Sequence, residues 1–170
     1  MAEAHNNLGI AFTTLGQLDE AIAQYQQALE SKPDYAEAHN NLGLALARHG
    51  QFDAALSHYG QALEINPNFA VARTNMGIAL GSRGQVDEAM QQYRKALEIM
   101  PDYIEAHYHL AGALAARNRL DEAVAHYRKA LEIATQRNNR AMADALRSQI
   151  RRYEAGRLDR QTPAASAPNR

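Results

Sequence analysis

Apolar residues recur along this chain at the three- and four-residue steps of a helix face, and the whole pattern repeats every 34 residues. In the clearest copy, Ala38, Leu42, Ala45 and Leu46 mark one face of a helix predicted from about Ala36 to His49. Gly50 ends it, as a residue free to adopt the left-handed cap conformation. A second helix is predicted from about Asp53 to Ile65, with Ala55, Leu56, Tyr59, Ala62 and Leu63 on its inner side. Asp53 places a negative charge in its first turn, where the helix dipole favours one. Pro67 stops this helix and sets Asn66 extended. The same two-helix pattern fills residues 2–35, 36–69, 70–103 and 104–137. A fixed period of this length means stacked copies of one helical pair, each too small to bury its apolar face alone.

The starts and contacts of the helices are also written into the pattern. Asp34 with Glu37, and Asp102 with Glu105, fit a capping box with Asp as the N-cap. Gly9, Gly43 and Gly77 fall at one place on the first helices, opposite Ala21/Ala28, Ala55/Ala62 and Ala89/Ala96 on the second. Small residues there let the two helices of a pair approach closely. Tyr25, Tyr59, Tyr93 and Tyr127 recur between them and read as core. The fourth copy departs: Ala111 replaces Gly, Asn118 replaces the loop Gly and Thr135 replaces Pro. Its second helix should therefore run on toward Arg137. A ninth helix follows, about 139–155, with Met142, Ala145, Leu146, Ile150 and Tyr153 on one face. It reads as the cover that a stacked array needs on its last copy. Gly156 should end it, and residues 156–170 read as a disordered tail. At the other end Ala4, Leu8 and Ala11 would face a further copy that is missing. The expectation there is a chain cut from a longer array, or an end covered by self-association.

Leu8, Gly9, Phe12, Ala21, Tyr25, Ala28 and Pro33, with their counterparts Leu42, Gly43, Leu46, Ala55, Tyr59, Ala62 and Pro67, resemble the signature of the tetratricopeptide repeat (TPR) family. Met76, Gly77, Leu80, Ala89, Tyr93, Ala96 and Pro101 repeat it. The resemblance covers residues 2 to about 137. It implies an all-α, right-handed α-solenoid of four helical hairpins plus a C-terminal capping helix. It also implies a non-enzymatic protein-interaction scaffold whose first helices line a concave groove. The inward-facing positions then include Asn6, Asn7 and Ile10, next Asn40, Asn41 and Leu44, then Asn75 and Ile78, and finally Tyr108 and His109. Asn7, Asn41 and Asn75 hold one place in three successive copies, with His109 fourth. An Asn amide is both donor and acceptor, so such a row either clamps the backbone of an extended peptide or bonds neighbouring helices and holds the stacking angle. In this one feature the array resembles the asparagine-lined superhelix attached to the O-linked N-acetylglucosamine transferase. The closing segment also resembles that of long bacterial TPR proteins. A second expectation is therefore a substrate-docking arm of a larger enzyme, such as a glycosyltransferase. Chaperone-binding TPR proteins grip a carboxylate with cations, whereas the matching places here hold Asn6, Ile10, Asn41, Val71 and Asn75, so that ligand is rejected.

Composition narrows the rest. The 170 residues contain no Cys, which excludes disulfides and thiolate metal sites. No apolar run is long enough to span a bilayer, and no basic segment followed by an apolar core opens the chain. The expected compartment is cytoplasmic, without membrane contact from this segment. Net charge is −1 but graded. Met1–Tyr35 carries one Lys against five acids, and Asn138–Arg170 carries seven Arg against three acids. Opposite ends of that kind suit attraction between copies, so a homo-oligomer through the first hairpin is a third expectation. The groove has no basic stripe, which argues against nucleic acid. No HExxH, phosphate loop or catalytic triad pattern appears, and neither cofactor nor metal is expected. His5, His39 and His107 should pack between helices, while His58 and His126 should sit on the outer surface.

Overall fold

The computed structural model describes residues 1–161, with side chains described through Ala155. Among the described residues the chain is all helical, and it divides into two units, residues 1–101 and 102–170.

The first unit holds three hairpins, α1 (Ala2–Thr14) with α2 (Leu18–Ser31), α3 (Ala36–Arg48) with α4 (Phe52–Ile65), and α5 (Ala70–Ser82) with α6 (Val86–Ile99). Each hairpin turns on a residue with positive φ: Gly16, Gly50 and Gly84. In the middle turn Gly50 N–H donates to the Ala47 carbonyl at 3.0 Å and Gln51 N–H to the Leu46 carbonyl at 2.8 Å. That is a Schellman closure, and it satisfies carbonyls the helix end would otherwise leave bare. Between hairpins the chain is extended at Lys32, Asn66 and Met100, one residue before each proline.

Packing inside a hairpin depends on the glycine of the first helix. A Cβ built at Gly9, Gly43 or Gly77 would stand 2.6, 2.7 or 2.5 Å from a ring carbon of Tyr25, Tyr59 or Tyr93. The tyrosine ring thus lies on bare backbone. Packing between hairpins sets the second helix of one against the first helix of the next, α2 on α3 and α4 on α5. The core of this unit runs through Tyr25, Leu42, Leu46, Ala55 and Tyr59. Asp19 meets His49 at 3.3 Å, and Asp53 pairs with Arg83, so the first-turn acids reach the next hairpin.

The second unit holds α7 (Ile104–Ala116), α8 (Leu120–Gln136) and α9 (Arg140–Gln161). Helix α8 has 17 residues where α2, α4 and α6 have 14, as the missing proline predicts. Asn118 and Asn138 take the left-handed place held elsewhere by Gly. The α8–α9 turn repeats the Schellman closure, Asn138 N–H to Thr135 and Asn139 N–H to Ala134. Helix α9 packs on α8 through Ala143, Leu146 and Ile150. Ala145, expected on that face, is exposed. The inward spacing 143, 146, 150 leaves it one step off the seam. The helix passes through Gly156, where a stop was expected; residues 162–170 of the expected tail lie outside the described residues.

The expected capping boxes do not form. Tyr35 and Tyr103 are the N-caps of α3 and α7, and neither helix start has a side-chain cap bond. Each helix begins one residue later than the box requires, so Asp34 and Asp102 lie outside it. Asp102 instead pairs with Arg137.

Candidate functional site

In the first unit α1 contacts α3 and α3 contacts α5, whereas among the described residues no second helix reaches another. The row therefore bends with its first helices on the inner side, and α1, α3 and α5 form one wall. A chain of amides crosses it. Asn75 Nδ2 donates to Asn40 Oδ1 at 2.9 Å, Asn40 Nδ2 to Asn41 Oδ1 at 3.2 Å, and Asn41 Nδ2 to Asn6 Oδ1 at 3.0 Å. One continuous chain of side-chain amides thus links the three helices. Asn6 and Asn40, expected on the open wall, are only 4% and 5% exposed. They sit under the surface and serve the stacking. Thr74 holds the same place on α5, buried, and bonds the Ala70 carbonyl of its own helix. Asn41 and Asn75 are half-buried and Asn7 is exposed. Beside them Ile10 and Ile78 are 44% and 36% exposed, and Leu44 is half-buried. Arg48 Nη1 reaches the Thr13 carbonyl at 3.4 Å.

The second unit holds the other two expected residues. Tyr108 and His109 on α7 are half-buried and meet edge to face, ring centroids 5.4 Å apart. Tyr108 also stands edge-on to Tyr127 at 5.6 Å, and Tyr127 stacks on Tyr153 of α9. Ala111 stands where the first three hairpins have Gly, at the place where a Cβ would lie 2.5–2.7 Å from the tyrosine ring in those hairpins. Burial pulls the His109 imidazolium below its usual range, with Glu105 opposing.

A feature the sequence reading missed occurs in the second and fourth hairpins. His58 and His126, expected on the outer surface, turn back onto the first helices. His58 Nδ1 lies 3.1 Å from His39 Nδ1, and His126 Nδ1 lies 2.9 Å from His107 Nδ1. His39 Nε2 stands 2.9 Å from the Pro33 carbonyl. The signal was a constant separation of 19 residues: His5 with Gln24 Oε1 at 2.9 Å is the first member of the same series. Arg73 and Gln92 occupy these places in the third hairpin, and Arg73 Nη2 donates to the Pro67 carbonyl as His39 does to Pro33. Among the described residues no group of three or more His, Asp or Glu side chains could hold a metal, and no helix is long and apolar enough to cross a membrane.

No curated protein sequence matches the chain. Known structures do. A crystal structure of MamA aligns with a TM-score of 0.73 at 28% identity over 81% of each chain. A second MamA structure gives 0.70 at 27% identity, over 82% of this chain and 76% of that one. The first TPR of Spaghetti (RPAP3), bound to the HSP90 peptide SRMEEVD, gives 0.66 at 26% identity, over 69% of this chain and 93% of that one. Family profiles described as TPR or tetratricopeptide repeats match residues 11–50 and 79–116, 36–69, 58–91 and 104–137. Those matches, with the paired helices and the glycine–tyrosine contact that recurs in the first three hairpins, place the chain in the tetratricopeptide repeat family.

Proposed function

We propose that this chain is a non-enzymatic scaffold that holds an extended segment of a partner protein along the wall of α1, α3 and α5. The observation that carries the reading is the amide chain with apolar neighbours. Asn41 and Asn75 each spend one N–H on the stacking and keep a second N–H and acceptor capacity. Neighbouring helices stand about 8–10 Å apart, and an extended strand rises about 3.3 Å per residue. A segment crossing the wall thus offers a main-chain group to each Asn about every third residue. Ile10, Leu44 and Ile78 supply the apolar contact beside it. The structure of RPAP3 with a bound peptide supports this use of the fold. That peptide carries two Glu and one Asp, and the wall here offers few cations, so a more neutral segment is expected.

Selection from a random peptide library tests this. Ile10→Ser with Ile78→Ser should weaken capture of a selected peptide at least about tenfold and leave the unfolding midpoint nearly unchanged, because both side chains are exposed. SRMEEVD should bind more weakly than the selected peptide. Unchanged capture by the double variant would remove the wall as the site.

One observation favours a second reading, self-association. Ala4, Leu8 and Ala11 are exposed, whereas Ala38, Leu42 and Ala45, their counterparts on α3, are buried against α2. A second copy that covered this face would supply what α2 supplies to α3. Light scattering at two salt concentrations separates the readings, since a salt-insensitive monomer excludes attraction between the acidic and basic segments.

A further inference from the structure

A second row of side chains runs beside the amides on the wall of α1, α3 and α5, and it is acidic. Glu3 and Glu37 hold one place on α1 and α3, four residues before Asn7 and Asn41, and both are exposed. Val71 holds that place on α5. Glu3 stays 64% exposed although the terminal ammonium stands 3.9 Å away. On the other side of the amides, three residues further along each helix, lie Ile10, Leu44 and Ile78. Steps of four and three keep the rows on one helix face. At about 1.5 Å per residue, the carboxylates stand about 6 Å to one side of the amide row and the apolar side chains about 4.5 Å to the other.

Resting on the reading of this wall as a peptide site, we propose that the segment it holds is basic along one edge and apolar along the other, with Lys or Arg at alternate positions. In an extended chain the side chains stand across the direction of the main-chain N–H and C=O groups and alternate in sense. A segment that turns its main chain to the amides therefore lays its side chains flat on the wall, alternately to either side. One set meets Glu3 and Glu37, and the other meets Ile10, Leu44 and Ile78. Opposite charge selects cations for the first set. Burial selects apolar residues for the second. Arg48 fixes the order. It lies on α3 beyond the apolar row, about 16 Å from Glu37 along the helix, where it would repel a cation. Helices recur about every third residue of the segment, but one edge is filled every second residue. Long, flexible side chains bridge that mismatch, and Lys and Arg have them.

Two synthetic peptides of eight residues, blocked at both ends, test this by fluorescence anisotropy. One alternates Lys and Val, and the other has the same composition arranged in blocks of two. The alternating peptide should bind at least about threefold more tightly at about 0.05 M salt, and that margin should shrink at about 0.5 M. Glu3→Gln with Glu37→Gln should weaken it at least about threefold. Glu20→Gln, an equal charge change at an exposed place on α2, should not. Glu3→Lys with Glu37→Lys should turn the preference toward a peptide that alternates Glu and Val, which a merely structural role would not do. Equal binding of the two Lys–Val peptides, or a loss no greater in the Gln double variant than in Glu20→Gln, overturns the proposal. The Ile10→Ser, Ile78→Ser variant separates the two readings. A library-selected peptide that this variant releases, but that has no basic edge and ignores the Gln double variant, overturns the charge pattern and leaves the wall as the site. A peptide that neither variant releases overturns both.

Discussion

Two glycines in neighbouring helices show how much a residue's meaning depends on what stands opposite it. Gly43 has the Tyr59 ring within 2.7 Å of where a Cβ would be, while Gly60 on α4 has nothing within 4 Å. Gly43→Ala should therefore destabilise by about 1–3 kcal/mol, as overpacked cores do. Gly60→Ala should stabilise by about 0.5–1 kcal/mol, because it removes backbone freedom from a helix interior. Urea midpoints followed by circular dichroism check both signs; equal effects would mean the tyrosine yields easily. His58 gives a pH test at the same scale. Burial, and after it the neighbouring His39, hold its imidazolium below the ordinary value of 6.5. The unfolded chain then binds the proton more readily than the folded one. This contribution to stability is present above pH 6.5 and fades as pH falls through the folded value. His58→Gln should flatten that part of the profile between pH 8 and pH 5, and an unaltered slope would show that burial does not lower the His58 value.

At the scale of the element, the repeat period made most of the fold legible before any coordinates. The left-handed glycines, the proline stops and the long α8 all follow from single residues with one dominant backbone preference. The errors occurred where a short polar residue had several options. Asp34 and Asp102 matched a capping box by spacing, yet the helices begin one residue later and leave them outside. His58 looked like a surface residue because polarity was weighed and the 19-residue pairing was not. Asn6 and Asn40 looked like ligands because an amide's partner on another helix lies 35 residues away and is invisible to local pattern. Asn139 is the counterexample, a short polar residue that does cap. Its Oδ1 accepts from Met142 N–H at 3.2 Å at the start of α9. Asn139→Ala should cost about 0.5–2 kcal/mol. Protease nicking confined to α9 would be the readout, and unchanged cleavage would show that packing on α8 alone fixes the helix.

At the scale of the molecule, stability in a stacked array comes from interfaces between copies as much as from the copies. The first unit makes this measurable, because one residue type recurs at one place in two settings. Leu42 is 2% exposed against α2, while Leu8 is 45% exposed. Leu42→Ala should cost about 2–5 kcal/mol, the range for a leucine removed from a packed core. Leu8→Ala, on a face that no described helix covers, should cost less than about 1 kcal/mol. Amide exchange should follow the same order within the unit, slowest in α3 and α4, which are packed on both sides, and fastest in α1. A large cost at Leu8 would be as informative as a small one. It would mean that the α1 face is covered in solution, and the cost should then shrink on dilution, because a cover supplied by a second copy obeys mass action and one supplied by the same chain does not.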